Sequence, residues 1–518
     1  MGPRPGARRR PTSAAAPRLA PRVGGAVLAG VATACGFAPL SIWPAALLGL
    51  AAFFALARSA SPRRAAGLGF TYGVGLFGLS LAWATRFGWW VLAAFVAMMA
   101  LWMLLVGLGV RLVAHLPGWP VWTACLWAGY EAAAAKVPFG GFNWVRLAYT
   151  TPDQPLSGFL RYLGAPGTGW VVALCAALLT VAATSRGGLR LVGLGLTAVV
   201  FLVGSGLLAV AIPTGWPNVN VGMVQGNVDE TAGATSIGQP HTVTANHQSA
   251  TVQLMAEARA RLQPMPDFVL WPENSVDYDP TLDAQTHDLV DASAKLAGRP
   301  ILLGAVMDGP GENGRQTSAL WWTPDDGVTA RYDKRNVVPF GEYLPWRSFF
   351  LTLVPETAEV GKQSVPGTRP GVLHVTLPDG RPLAIGDAIC YDLAFDDTVY
   401  DTVRHGAQIL VVQSSNVTFA GTFQPSQQFQ ITRVRAMELG REIVVSTTAS
   451  LSGLIDAQGR ILDRTTEWTA AADTYQVPER TTITPAVRIG PVFGVVAAAL
   501  GGLAVVAGAI RRRRSEAY

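Results

Sequence analysis

Apolar runs crowd the two ends of this chain and leave a globular stretch between them. From about Val23 to Ile212 the runs follow one another, each close to the roughly 20 residues that cross a bilayer. Ala65–Ala82, Trp90–Val110, Gly167–Ala183 and Leu191–Ile212 are examples, and one more, Val487–Ile510, precedes Arg511-Arg512-Arg513-Arg514. Between Pro213 and Thr484 the composition returns to that of a globular protein. With half of its 518 residues hydrophobic and 14% charged, the chain is too apolar for an ordinary soluble enzyme. Seven spans before the globular segment and one after it are expected.

Arginines mark the inside loops, because short cytoplasmic connections collect Lys and Arg. Arg8-Arg9-Arg10, Arg18 and Arg22 precede the first span; Arg58, Arg63 and Arg64, then Arg111 with His115, then Arg186 with Arg190, follow later ones. The expected division is a basic cytoplasmic arm at 1–22, a seven-span domain at 23–212, an extracytoplasmic domain at 213–485, a C-terminal span at 486–510 and a cytoplasmic tail at 511–518. Both termini are then cytoplasmic and the first span is read as uncleaved, a multi-pass protein of the cell membrane. The net charge of +6 is accounted for by these arginines, so no nucleic-acid partner is expected.

Short apolar runs alternate with helical patterns in the middle segment. Val219–Val224, Phe268–Trp271, Ile301–Val306, Leu383–Ile389, Gln408–Gln413 and Ile443–Thr447 read as strands. The stretches 247–262, Thr286–Leu296 and Gln427–Glu442 read as helices, and Ala319–Trp322 with Val328–Tyr332 as a hairpin around Pro-Asp-Asp-Gly. Strands alternating with helices indicate a layered α/β domain.

Three of the four cysteines, Cys35, Cys125 and Cys175, lie in apolar runs, where a thiol is a small hydrophobe. Cys390 instead follows a strand-like run and precedes Tyr391-Asp392. Upstream, Glu273 ends Trp271-Pro272-Glu273 and Lys334 follows Tyr332-Asp333. A thiol is weakly ionised near neutral pH and needs a base or cation nearby to act as a nucleophile. A carboxylate such as Glu273 accepts its proton once burial raises its affinity, and Lys334 supplies charge to the thiolate and to a tetrahedral oxyanion. None of the six histidines sits in a comparable motif. No metal or cofactor motif is recognised, and no disulfide framework is expected.

The order Trp-Pro-Glu, then Val338-Pro339-Phe340-Gly341-Glu342-Tyr343-Leu344-Pro345 after Tyr-Asp-Lys-Arg, then Ile-Cys-Tyr-Asp resembles the nitrilase superfamily. Apolar spans on both sides make the chain similar, within it, to the apolipoprotein N-acyltransferase family. Val224-Gln225-Gly226-Asn227 resembles the family's opening strand. Arg433, Arg435, Ala436, Glu438 and Arg441 resemble its Arg-x-Arg-Ala-x-Glu helix, and Pro138–Trp144 its Phe-Pro-Trp loop. The resemblance implies a polytopic α-helical membrane domain plus a nitrilase-like α-β-β-α sandwich. It implies Glu273 as base, Lys334 as oxyanion partner and Cys390 as nucleophile, with Glu342 orienting Lys334 and the Tyr391 amide as a further oxyanion donor. The implied activity is ping-pong transfer of an acyl chain from a membrane phospholipid, through a cysteine thioester, to the α-amino group of the N-terminal S-diacylglyceryl-cysteine of lipoproteins. A monomer is expected.

Two departures from the family stand out. Asp392 replaces the usual Glu, and Asn416-Val417-Thr418-Phe419-Ala420 replaces Asn-Asp-Ala-Trp-Phe, which bears on substrate contacts more than on chemistry. Two rival readings use the same residues: a membrane-tethered amidase or nitrilase acting on small amides, and an idle relative that binds lipoproteins. Glu131 is read either as a functional intramembrane carboxylate or as the partner of Lys136. Trp89, Trp90, Trp144 and Trp346 are read as a lipid entrance or an aromatic belt, and Phe349–Ser364 as a lid or an inert loop.

Overall fold

A computed structural model of the protein describes residues 19–228 and 241–516. The expected arm falls outside the described residues up to position 18, as do positions 517–518 of the tail. Among the described residues, seven α-helices precede the first strand: α1 (Leu19–Ala34), α2 (Trp43–Arg58), α3 (Pro62–Ser80), α4 (Trp89–Val113), α5 (Trp119–Ala134), α6 (Leu160–Thr184) and α7 (Gly188–Leu208). Four stretches are long and apolar enough to cross a membrane: Trp89–Val113, Pro155–Thr184, Gly188–Leu208 and, at the other end of the chain, Pro485–Arg514. Trp43–Arg58 is apolar but shorter. At 16 residues each, α1 and α5 are also short, and α3 is rich in glycine where it packs on α1 and α4. Small residues let helix backbones approach while lowering hydropathy.

The α/β domain begins with β1 (Asn218–Gln225), α8 (Thr242–Arg259), β2 (Phe268–Leu270), α9 (Ala284–Ala297), β3 (Ile301–Asp308), β4 (Gly314–Thr323) and β5 (Gly327–Asp333). It continues with α10 (Arg347–Leu353), β6 (Gln363–Ser364), β7 (Val372–Thr376), β8 (Pro382–Ile389), α11 (Asp396–Arg404), β9 (Ile409–Ser414) and α12 (Phe423–Leu439). β10 (Ile443–Thr447), β11 (Gly453–Ile455), β12 (Ile461–Arg464) and β13 (Ala471–Pro478) complete it, and α13 (Pro485–Glu516) follows. One sheet has the order β13-β1-β2-β3-β4-β5, with β6 beside β4; the other runs β12-β11-β10-β9-β8-β7. β1, β2 and β3 are parallel, as are β8, β9 and β10. Parallel neighbours need crossovers, here supplied by α8, α9, α11 and α12.

Alternating apolar residues bring the sheets together face to face: Val219, Leu270 and Trp321 of one pack on Leu383, Ile385 and Val411 of the other. α8 and α9 cover the first sheet through Leu254, Met255 and Val290. α11 and α12 cover the second, and their apolar cluster runs on into Leu160 and Val172 of α6. The result is a polytopic helical domain joined to an α-β-β-α sandwich. The α11/α12 layer lies between a sheet and the apolar helices. That position explains why α12 is buried on nearly every side although it carries Gln427, Gln428, Gln430, Arg435 and Glu438.

All the expected strands and helices of this domain are present, with shifted ends. α12 starts at Phe423, because the Thr422 hydroxyl accepts from the Gln424 amide at 3.2 Å, and stops where Gly440 turns to φ +63°. α11, β7, β11, β12 and β13 were not legible as elements in the sequence. Phe349–Ser364 contains the end of α10 and then β6, which anchors it to β4.

Candidate active site

Glu273, Lys334 and Cys390 each follow the end of a strand, β2, β5 and β8 respectively, the edge where α/β sheets gather reactive groups. Glu273 sits close against β3 because position 304 is glycine. A Cβ there would fall 2.6 Å from the Glu273 Cα. Ser275 locks the turn by donating from its amide and hydroxyl to the Gly304 carbonyl, at 2.9 and 3.0 Å. The Lys334 amide donates to Thr317 O at 2.9 Å, and its carbonyl accepts from Gly367 at 2.8 Å. Cys390 has φ +50° and opens a single 3₁₀ turn ending at Ala394. That left-handed backbone is uncommon for a non-glycine residue and persists where surrounding contacts hold it.

Lys334 is buried and donates to both neighbouring carboxylates, at 2.9 Å to Glu273 Oε1 and 2.6 Å to Glu342 Oε1. Glu273 Oε2 accepts from the Ser415 amide at 3.0 Å, and Glu342 Oε2 from the Val338 amide at 2.7 Å. Asp392 is fully buried behind Cys390 and accepts from the Tyr332 hydroxyl at 2.8 Å and the Asn336 amide at 2.7 Å. Its carboxylate thus ties the ends of β5 and β8 together. Asn416 has φ +54° and turns its side chain inward, accepting from Ser414 Oγ at 3.1 Å and Gln424 Nε2 at 3.3 Å. The rest of that altered loop rests on the helical domain. Phe419 meets the rings of Trp83 and Phe87, and Ala420 O accepts from Arg86.

Burial pushes the Cys390 thiol up to about 12, and the Glu273 charge adds to that, while Lys334 and the Ser414 hydroxyl pull the other way. The resting thiol is therefore protonated. Burial opposes charge on Lys334, but Glu273 and Glu342 outweigh it and hold the ammonium well above its ordinary range. Burial raises Asp392 to about 6 against the opposing pull of Lys334. Asp387, also buried, is held well above the carboxylate range by desolvation and then by Asp392 and Glu273. Neither of its carboxyl oxygens has a hydrogen-bond partner among the described residues. A protonated thiol, a carboxylate and a fixed ammonium at one edge form an arrangement suited to acyl transfer.

The loop 135–147 after α5 supplies groups that single motifs did not reveal. Tyr391 is buried and its hydroxyl donates to Gly141 O at 3.1 Å. Asn143 Nδ2 donates to Ala394 O at 2.9 Å. Trp144 belongs to neither an entrance nor a belt: it is buried and donates to Gln427 at 2.8 Å. Trp89, Trp90 and Trp346 are exposed. Glu131 does not pair with Lys136. It lies 3.5 Å from Arg146 Nε, and Lys136 bonds Asp397 at 2.7 Å. The Lys136 pairing looks to the helix end of Glu131, whereas its partner Arg146 lies across the loop.

Residues 29–178 match the family described as apolipoprotein N-acyltransferase N-terminal domain, and residues 223–483 match carbon-nitrogen hydrolase. An apolipoprotein N-acyltransferase of Mycolicibacterium smegmatis is 36% identical, over 94% of this chain and 85% of its own. One of Nitrosomonas europaea is 30% identical, over 93% of this chain and 95% of its own. Among solved structures, an amidase from Nesterenkonia sp. AN1 matches 52% of this chain and 94% of its own, at 16% identity and a TM-score of 0.35.

Proposed function

The chain belongs to the apolipoprotein N-acyltransferase family, and from that membership we propose that it moves an acyl chain from a membrane phospholipid to the N-terminal S-diacylglyceryl-cysteine of lipoproteins. The observation that carries this reading is the buried Lys334 ammonium held between Glu273 and Glu342 at the strand edge from which Cys390 opens. In the first half-reaction the Cys390 proton passes to Glu273 as the sulfur attacks the ester carbonyl carbon. Lys334 faces the oxyanion, and the Tyr391 amide is a second donor to it. The carbon–oxygen bond then breaks, Glu273 returns its proton to the departing alkoxide, and a lysophospholipid leaves a thioester on Cys390. In the second half the lipoprotein's α-amine attacks the thioester carbonyl and gives a proton to Glu273. The carbon–sulfur bond breaks, and that proton restores the thiol. Glu342 keeps Lys334 oriented through both halves.

In this reading residues 23–212 and 486–510 form seven spans and one, the domain at 213–485 faces outward, and both termini are cytoplasmic. The arginine distribution supports that orientation. The protein acts as a monomer without cofactor.

Mass spectrometry of the purified protein incubated with phospholipid tests the proposal. A hydroxylamine-sensitive acyl adduct on Cys390, absent from Cys390→Ser, is expected. If wild-type protein never acquires it, the transferase reading fails; labelling by small amides alone would favour the tethered amidase instead.

A further inference from the structure

Beside the bonds of Asp392 to Tyr332 and Asn336, several bonds that hold the Cys390 turn come from outside the two sheets. Arg435 of α12 is fully buried and donates from Nε to Leu393 O at 2.8 Å and from Nη2 to Ala394 O at 3.0 Å. Asn143 also donates to Ala394 O, and the Tyr391 hydroxyl reaches Gly141. Arg435 is itself held by Glu438 at 2.5 Å and Asp396 at 2.9 Å. Asp396 is shared with Arg146 at 2.6 Å, and Arg146 approaches Glu131. Glu131 is fixed in turn, because its Oε1 accepts from Trp127 Nε1 and the Leu147 amide, both at 2.9 Å. Acid and base therefore alternate from α5 to the turn of the proposed nucleophile, Glu131, Arg146, Asp396 and then Arg435, with Glu438 on the far side of Arg435.

A left-handed cysteine backbone is costly unless its surroundings over-determine it, and these bonds hold the turn it opens at Tyr391, Leu393 and Ala394. We propose that Asn143 and Arg146, in the loop between α5 and α6, are positioning residues that set the geometry of the Cys390 turn. The helical domain is then part of the catalytic machinery rather than an anchor. This inference rests on reading Cys390 as the nucleophile.

The test uses the full-length protein in detergent micelles, to which phospholipid is added only for the second rate, with Asn143→Ala, Asn143→Gln, Arg146→Gln and Arg146→Lys. Two rates are measured: alkylation of Cys390 by iodoacetamide as a function of pH, and acyl-adduct formation as a function of phospholipid concentration. Asn143→Ala and Arg146→Gln are expected to shift the alkylation pH profile and to slow adduct formation about tenfold or more at unchanged KM, since small misplacements of reacting groups are expensive. Asn143→Gln and Arg146→Lys should recover part of the loss. Asn143→Ala removes one neutral hydrogen bond and decides the matter alone if Arg146→Gln does not fold. The inference is overturned if the alkylation profile and rate of folded Asn143→Ala lie within about twofold of wild type, a margin worth under half a kcal/mol. Alkylation needs no lipid, so a wild-type protein that never forms an acyl adduct would defeat the proposed function and leave this comparison valid.

Discussion

The Lys334 ammonium lies 2.9 Å from the Glu273 carboxylate, with the side chains of both residues buried. In the proposed reaction Glu273 takes a proton and its hold on the ammonium weakens, and Glu342, 2.6 Å from the same nitrogen, is placed to keep the ammonium in position meanwhile. Glu342→Gln should therefore fold normally and form the Cys390 adduct about a hundredfold more slowly. Lys334→Met should abolish adduct formation and lose about 3–5 kcal/mol of stability, because a buried charge is left without its partner. Stopped incubations with phospholipid and denaturant unfolding measure the two effects.

Asp392 holds its proton more tightly in the folded protein, at about 6, than in the unfolded chain, chiefly because it is buried. The stability it contributes is complete below the ordinary aspartate range near ~4 and is lost as pH rises through about 6. Asp387, raised further, acts with the same sign. The midpoint of thermal unfolding of Asp392→Asn should thus fall less between pH 5 and pH 7 than that of wild type. Equal slopes would count against a protonated Asp392.

Two ion pairs should differ sharply in weight, Lys136–Asp397 between the domains and the Arg435 cluster within the α/β domain. Lys136 and Asp397 are 62% and 55% exposed, so Lys136→Ala should cost under about 1 kcal/mol. Arg435→Met strips a buried cation from Asp396 and Glu438 and should cost about 3–5 kcal/mol. Urea titrations of both variants provide the comparison.

Gly164 has φ +68° at the kink of α6, and a Cβ there would lie 2.7 Å from Glu438 Oε1 and closer still to the Tyr400 hydroxyl. Gly164→Ala should destabilise the protein by about 1–3 kcal/mol, read as a lowered unfolding midpoint, with the largest loss of protection in α12.

Phe139 contacts the rings of Phe340 at 5.4 Å, Trp346 at 5.1 Å and Phe350 at 6.2 Å, and its carbonyl accepts from the Tyr343 hydroxyl. Phe139→Ala should speed amide hydrogen exchange across 338–353 and leave β8 unchanged, a pattern that exchange mass spectrometry resolves.

Strand alternation and the motifs around Glu273, Lys334 and Cys390 were legible because each is local: a strand, then a reactive residue at its end. β12 was not, being exposed at all four positions with Asp463 and Arg464 among them, and α11 is short and opens with two aspartates. Asn143 and Arg146 lie about 250 residues from their partners Ala394 and Asp396. Nothing in an Asn-Trp-Val-Arg sequence announces that its polar groups end up buried. The apolar runs at the two ends were legible as helices, seven before β1 and one after β13 among the described residues. By length and composition α4, α6, α7 and α13 can cross a membrane, while α1, α2, α3 and α5 are shorter or richer in glycine.

β1 and β13 lie side by side, pairing Asn218 with Pro478, so the α/β domain is entered and left at one edge. α13 then returns to pack on α4, α5 and α6, with its Gly501 against Cys125 and its Gly508 against Leu112. Every residue of the sandwich is therefore synthesised before the helix that completes the bundle. The loop that cradles the Cys390 turn precedes both in the chain and must wait for them, so the bundle and the turn it shapes can reach their final arrangement only once α13 has been made.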